Sequence, residues 1–173
     1  PGPNSEPQSL LSSLFWRDHL KDQLKIFSFN RLIKNFNGLS DEDFLTQIKE
    51  KYDLKEVQNA VVPTQKDEII LYISKKWYSL IAKEEYVNRT HCVEKLDPAI
   101  LSNNILAPLL GITDPRNDKR LRFIDGTHSL EEIKHKVDSE EFKAAFVLKP
   151  ISVNQIKEVA DKGQSMPPKS TYI

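Results

Sequence analysis

The chain has 173 residues, of which 25 are basic and 25 acidic, so its formal net charge at pH 7 is zero. A domain of this length buries about 70% of the surface that its unfolded chain exposes, which is enough for one hydrophobic core. Zero net charge gives no long-range attraction to nucleic acid or to an anionic membrane. No apolar run approaches the ~20 residues of a transmembrane helix. The single cysteine, Cys92, excludes an internal disulfide and suits a reducing, cytoplasmic compartment.

The N-terminal residues divide into a leader and the start of a folded unit. Residues 1–8 have the composition of a disordered leader or an artificial boundary, and we expect residues 9–173 to form a single α+β domain, a fragment of a longer protein. Residues 9–22 fit either a helix face or a strand, and the helix is favoured. Residues 23–29 are apolar on both sides of an alternating pattern, which predicts an inner strand that delivers Asn30 and Arg31 just beyond its end.

The middle of the chain predicts a helix and then a hairpin. Ser40 is placed to cap a helix with an acidic first turn. One face of that helix is expected to carry Phe44, Leu45, Ile48 and Tyr52. Residues 67–82 read as a β-hairpin, because the β-rich runs IILYI and WYSLI are separated by three polar residues. Residues 83–95 are a charged connection without periodicity.

A largely buried helix is predicted from Asp97 onward, since its apolar residues cover too wide an arc for a surface helix. The carboxylate of Asp97 is expected to cap this helix by accepting a hydrogen bond from a backbone N–H of its first turn, and Pro98 suits the first helical position. Gly111 is placed to end the helix. Pro108 has no N–H to donate to the carbonyl of Asn104, so we expect a kink there or two short helices.

The C-terminal third predicts alternating strands and helices. A strand is expected at residues 120–124 and a central strand at residues 144–148, where the apolar run is almost continuous. Ser129 with Glu132 and Ser152 with Gln155 have the spacing of capping boxes for two helices, and Gly163 is placed to end the second. The fold class that follows is α+β: a mixed, mostly antiparallel sheet packed with about four helices.

The segment DPRNDKR, residues 114–120, is the strongest candidate for a site. In one interpretation Arg116 and Arg120 grip a phosphate or carboxylate, with Lys119 as a point charge. In the other, the segment is a turn whose Asp114 and Asp118 bond the local backbone and pair with the arginines. Both interpretations stay open from the sequence.

Other candidates are weaker. Asn30 and Arg31, expected after a strand, and His128 are assigned with the two aspartates to the wall of a pocket. The segment Lys169-Ser170-Thr171 resembles the tail of a phosphate-binding loop, but prolines precede it where that loop needs glycines, so it is not a nucleotide loop. An extended segment laid along the domain is favoured, and the alternative is that Lys169 faces an anion while Ser170 and Thr171 line the pocket. The four histidines lack metal-ligand spacing, so no metal is predicted. Interleaved acidic residues argue against nucleic acid as a partner.

Three segments together resemble the C-terminal part of the bacterial domain of unknown function 1015 family. They are FNRLI (residues 29–33), LGITDPRNDKRLRFIDG (residues 110–126) and MPPKSTYI (residues 166–173), within a match over residues 23–173. The resemblance implies a cytoplasmic bacterial protein of unassigned function. Members of that family also carry, upstream, a D-G-H-H-R motif like that of ParB and sulfiredoxin-type domains. The segment DGTHS, residues 125–129, is similar to it only superficially, so the resemblance implies that an N-terminal half with the motif is missing.

These observations lead to one function hypothesis with two alternatives. The leading hypothesis is the supporting half of a cytoplasmic enzyme or ligand-binding protein acting on a small anionic metabolite or nucleotide, with the missing half bringing the central chemistry. The first alternative is a ParB-like nucleic-acid-binding accessory, whose affinity must fall with salt. The second is an interaction module with no ligand. No cofactor is implied by this fragment, and the sequence names neither a reaction nor a catalytic residue.

Overall fold

The computed structural model describes residues 28–59 and 61–165. The strands are β1 (Phe29–Ile33), β2 (Tyr52–Val57), β3 (Glu68–Ile73), β4 (Lys76–Ala82), β5 (Leu121–Asp125) and β6 (Ala144–Leu148). The α-helices are α1 (Asp41–Lys51), α2 (Asp97–Leu101), α3 (Leu130–Asp138) and α4 (Val153–Asp161), with a 3-10 turn at Glu84–Tyr86 and a π turn at Ser102–Leu106. The elements predicted in residues 9–27 and the segment 169–171 lie outside the described residues.

The six strands form one sheet in the order β2-β4-β3-β6-β1-β5. Every described pairing is antiparallel. β6 lies in the interior of the sheet between β3 and β1, and all five of its residues are buried. The predicted α+β class and the predicted central strand at residues 144–148 are therefore confirmed.

Both faces of the sheet are covered, because side chains along each strand alternate between them. On one face, Phe146 packs in a cluster with α1 and α2, and Phe44 of α1 stacks on Phe36 with ring centroids 4.3 Å apart. On the other face, α3 packs against a second cluster. Trp77 belongs to this second cluster and Tyr78 contacts the first, so these two neighbours in β4 point to opposite faces.

The predicted helix face is wrong at Tyr52, which does not belong to the helix. α1 begins after its cap Ser40, as expected, but ends at Lys51, and Tyr52 is already extended at the start of β2. The sequence analysis missed this strand because YDLKEV mixes charged and apolar residues without a clean alternation. β2 pairs with β4 along its whole length, so backbone pairing and not apolar patterning defines it.

Asn30 and Arg31 were expected after a strand, and this is wrong. Both lie inside β1, between its partners β5 and β6, and only 4% and 3% of their surface is exposed. The polar pair misled the prediction, since polar side chains are rare in an interior strand. Residues 23–27 of the predicted strand lie outside the described part of the chain.

The predicted buried helix exists but breaks earlier than at Pro108. α2 begins at Asp97 with Leu96 as its cap, so Asp97 does not cap through its side chain as predicted. After Leu101 the backbone widens into the π turn, where the N–H of Ala107 donates to Ser102 (3.0 Å). Pro108 has no N–H to donate to the carbonyl of Asn104, and this carbonyl accepts a hydrogen bond from Lys51 Nζ instead, at 3.3 Å. Gly111 then ends the segment with a positive φ of 70°.

The capping predictions for the last two helices differ in outcome. Ser129 accepts a hydrogen bond from the backbone N–H of Glu132 at 3.2 Å, but only in that one direction. Ser152 and Gln155 form both bonds of a capping box. Gly163 ends α4 with a φ of 68°, as expected. Of the predicted inner face of α4, Val159 is buried and Ala160 is exposed, so the helix rests on the domain along a narrow stripe.

Candidate functional site

Arg120 makes structural contacts with the turn that precedes it. Its Nε and Nη2 donate to the two carboxylate oxygens of Asp118 at 3.0 and 2.7 Å. Nη1 and Nη2 also donate to the carbonyls of Leu110 and Gly111, at 2.7 and 3.2 Å. This arrangement lowers the pKa of the Asp118 carboxyl and raises that of Arg120. The guanidinium thus binds the last carbonyls of the buried helical segment and neutralises the charge of Asp118, as the turn interpretation predicts.

The other charges of the DPRNDKR segment do not converge with Arg120. Arg116 and Lys119 are exposed. Asp114 accepts a hydrogen bond from the side chain of Asn117 at 2.8 Å, which fixes a local turn. None of these residues lines the cavity at the start of α3. The anion site predicted for Arg116 and Lys119 stays a prediction, as does the role of the segment 169–171, which lies outside the described residues.

Arg31 is buried without a carboxylate partner among the described residues. Its Nη1 donates to the carbonyl of Phe29, and its guanidinium carbon lies 4.9 Å from the ring centroid of Phe123. Desolvation by burial lowers the pKa of Arg31 to about 9. Because Arg31 and Asn30 are neighbours in a strand, their side chains point to opposite faces of the sheet and cannot share one site.

A cavity of about 330 Å³ lies where the start of α3 meets the ends of β1 and β6; we call it the α3 cavity. It is lined by Ser28, Asn30, Val62, Gly126, His128, Ser129, Leu130, Val147, Leu148 and Pro150. Two of the predicted pocket residues, Asn30 and His128, are therefore together, although 98 positions separate them in the chain. Asp114, Asp118 and Arg31 do not line it.

The turn between β5 and α3 positions His128 at this cavity. The Asp125 carboxylate accepts from the backbone N–H of Thr127 at 3.0 Å and from its hydroxyl, and these bonds lower the pKa of Asp125. The Nδ1 atom of His128 lies 3.2 Å from the carbonyl oxygen of Asp125 and 3.4 Å from its carboxylate. Both oxygens are acceptors, so Nδ1 carries the hydrogen and Nε2 is left for a ligand or solvent.

The start of α3 adds backbone donors. Ser129 accepts from the N–H of Glu132, and the N–H groups of the first turn before it have no partner within the helix. α3 has nine residues, and the partial positive charge of its N-terminus favours an anion.

Asn30 supplies a buried polar group on the opposite wall of the cavity. Its Oδ1 accepts from the backbone N–H of Leu148 at 3.0 Å, which fixes the orientation of the amide. The Nδ2 atom has no hydrogen-bond partner among the described residues. Ser28, next to it, donates to the Leu148 carbonyl at 2.5 Å. This amide and the start of α3 line the same cavity, and unused amide donors of this kind can hold the oxygens of an anion.

The sequence analysis found His128 and Asn30 but not the residues that shape the cavity. Gly126 and Ser129 were assigned only to a turn and a cap. The available signal was the order of the elements, since the segment DGTHS stands between a predicted strand and a capped helix, where backbone N–H groups gather.

Neither a membrane span nor a metal site is present in the described ranges. Within residues 28–59 and 61–165, no helix combines the length and apolar character needed to cross a bilayer. In the same residues, no group of three or more His, Cys, Asp or Glu side chains is arranged to hold a metal ion.

Comparison with solved structures shows the same fold in two other proteins. A conserved hypothetical protein from Pyrococcus furiosus matches with a TM-score of 0.50 and 15% identity, over 86% of this chain and 55% of that protein. A variant of free serine kinase in complex with AMP matches with a TM-score of 0.50 and 13% identity, over 90% of this chain and 56% of the kinase. The chain thus spans about half the length of the solved proteins that it resembles.

Sequence comparison gives a family and no curated relative. No curated protein matches the chain. A family model described as "Protein of unknown function (DUF1015)" matches residues 4–99, which include FNRLI but neither of the other two segments that carry the resemblance. Because this match covers more than half of the 173 residues, the chain belongs to the DUF1015 family.

Proposed function

We propose that this chain binds the phosphate or another anionic group of a small metabolite or nucleotide in the α3 cavity. The observation that carries the proposal is that two kinds of hydrogen-bond donor meet at one cavity. These are the first-turn N–H groups of α3 and the unused amide donors of Asn30, and His128 lines the same cavity. Both kinds of donor can hydrogen-bond the oxygens of one anion.

The choice of ligand rests on charge and size. The lining residues include no carboxylate, so nothing in the lining repels an anion. A cavity of about 330 Å³ is at the lower end of the range for small-molecule sites, which suits a phosphate with part of a small metabolite or nucleoside attached. The fold similarity to a kinase solved with AMP makes a nucleotide the first ligand to test.

The proposal also covers the protein from which this chain comes. We infer that residues outside this chain complete the ligand site, because the chain spans only 56% of the AMP-bound kinase. We also infer that the protein works in the cytoplasm. By this proposal, the chain contributes anion binding and the remainder brings any chemistry. Arg116 and Lys119 are retained as further candidates for contact with the ligand.

The experiment is a calorimetric titration of the chain with AMP, inorganic phosphate and adenosine. AMP and phosphate are expected to bind, and adenosine is expected to bind much more weakly because it lacks the anion. Ser129→Asp is the decisive variant. Aspartate keeps the cap of α3 and therefore its stability, but places a carboxylate where the anion is expected. AMP affinity should fall at least about tenfold, which corresponds to ~1.4 kcal/mol.

The matched control is Ser40→Asp, the same substitution at the cap of α1, which does not line the α3 cavity. It should leave AMP binding unchanged. Equal binding of AMP and adenosine, or AMP binding that survives Ser129→Asp, contradicts the proposal.

A further inference from the structure

A second cavity, of about 380 Å³, lies between the start of β3, the start of α2 and α4; we call it the Asp97 cavity. Its lining consists almost entirely of charged side chains: Lys66, Asp67, Arg89, Lys95, Asp97, Lys149 and Gln155. The segment after β6 and the loop before β3 line both this cavity and the α3 cavity, through different residues. The two cavities therefore flank the same end of the sheet.

Several of these charges are already paired. Arg89 donates to both oxygens of Asp67, with Nη1 at 3.0 Å, and to Glu84 at 2.8 Å. Lys95 Nζ lies 3.0 Å from Glu158. These pairs hold the cavity wall together, and Asp67, only 8% exposed, is fully committed to Arg89.

Three charged side chains of the lining form no direct ion pair among the described residues. Lys149 Nζ donates only to the backbone carbonyl of Gln65, at 2.8 Å, and acts on Asp97 through space. Lys66 is exposed and makes no hydrogen bond or ion pair with the described residues. Asp97 is half-buried, and its carboxylate accepts no hydrogen bond there. Two ammonium groups and one carboxylate without a direct ion pair in one cavity are an arrangement that a ligand can satisfy.

The surroundings of Asp97 also contain an unpaired buried hydroxyl. Tyr52 is 1% exposed, and its hydroxyl is the one buried side-chain polar atom of the described residues without a hydrogen-bond partner. Burial raises the pKa of Tyr52, and the charges of Asp97 and Asp67 raise it further. Burial likewise raises the pKa of Asp97 to about 7, against the opposing effect of Lys149. Tyr52 does not line the cavity itself, so the groups that face a ligand there are those of the lining residues.

We propose that the Asp97 cavity is a second ligand site, for a small hydroxylated carboxylate, in which Lys149 and Lys66 bind the ligand's anionic group and Asp97 accepts from its hydroxyl. Arg89 and Lys95 are paired, but Lys66 and Lys149 still outnumber Asp97, which favours a ligand whose only charge is negative over one that also carries an ammonium group. A hydroxyl carries no charge and still donates to Asp97. This site has its own residues and does not depend on the proposed function of the α3 cavity.

The test is a calorimetric titration at pH 8, where Asp97 is ionised, with two pairs of probes. Glycerate and malate carry the hydroxyl, while propionate and succinate are their counterparts without it. The hydroxylated acids are expected to bind at least about fivefold more tightly than their counterparts, since one hydrogen bond is worth about 1 kcal/mol. Asp97→Ala, which has no acceptor, should remove most of this preference, while the affinity for propionate and succinate should not fall, because a negative charge is lost beside the ligand's anion.

Lys149→Met should weaken the binding of all four probes. Lys66→Met should weaken their binding to a smaller extent, and because Lys66 is exposed this substitution does not threaten folding. The matched control is Lys157→Met on α4, whose lysine pairs only with Asp161 outside the cavity. Lys157→Met should leave the affinity for all four probes unchanged. Ser129→Asp should also leave glycerate binding intact, which separates this site from the α3 cavity. Failure of both hydroxylated probes to bind, equal binding of both members of each pair, or equal effects of Lys149→Met and Lys157→Met would overturn the proposal.

Discussion

Replacing Asp97 by asparagine should stabilise the protein at neutral and alkaline pH and leave it little changed in acid. The substitution keeps the size and shape of the side chain but removes its charge. Asp97 is half-buried, and burial raises the pKa of its carboxyl to about 7, against about 3.9 for an unperturbed aspartate. The folded protein therefore keeps the proton of Asp97 at pH values where the unfolded chain has lost it.

The sign and size of the effect follow from this difference in pKa. Between about pH 4 and pH 7 the folded state binds more protons than the unfolded state, so the contribution of Asp97 to the free energy of unfolding falls as pH rises. Three pKa units correspond to about 4 kcal/mol, at 1.36 kcal/mol per unit. Asp97 keeps some solvent contact, which screens its charge, and we expect about 2 kcal/mol.

Urea unfolding of both proteins from pH 4 to pH 8 measures this quantity. The difference in unfolding free energy, variant minus wild type, should grow with pH by about 2 kcal/mol and level off above pH 7. Groups such as Asp118 and Glu158, whose pKa values are lowered, act in the opposite direction but are common to both proteins and cancel. A difference that is the same at pH 5 and pH 8 would refute the reasoning.

Three further substitutions test other parts of the structure. Arg31→Met removes a buried charge that has no carboxylate partner among the described residues, so the urea midpoint at pH 7 should rise; a fall would show that the guanidinium is needed. Arg120→Ala should lower the Tm by a few degrees because it removes the ion pair with Asp118 and the side-chain donors to two carbonyls, whereas Arg116→Ala, at an exposed site in the same turn, should not. Phe146→Ala in the central strand should cost about 3–5 kcal/mol of unfolding free energy in urea, and a loss below 1 kcal/mol would contradict its place in the core.

The elements that the sequence predicts well are those with local chemical signals. The hairpin of β3 and β4, the buried strand β6 and the helices capped by Ser129 and Ser152 all follow from patterns within a few residues. β2 carries no such signal, because its identity comes from pairing with β4, which lies twenty or more residues further on. The break after Leu101 was predicted at Pro108, since the sequence cannot show that Lys51 supports the wider turn.

The candidate site was less predictable than the fold. The charged turn drew attention to Arg120, but whether an arginine faces a ligand or its own neighbour depends on a few ångströms of backbone geometry. Asn30 and His128 were singled out separately, and only the antiparallel placement of β1 next to β5 and β6 brings them to one cavity. The Asp97 cavity was not predicted, because its lysines and acids come from three segments that are distant in the chain.

The position of β6 has a consequence for how the chain reaches its native state. This strand joins β3 to β1, yet it is the last of the six described strands to be synthesised. Until residue 148 has left the ribosome, β2, β3 and β4 can assemble on one side and β1 with β5 on the other, and each group of strands has unpaired backbone at the edge that β6 later fills. Truncations before residue 144 should accordingly give aggregating chains rather than a smaller soluble domain.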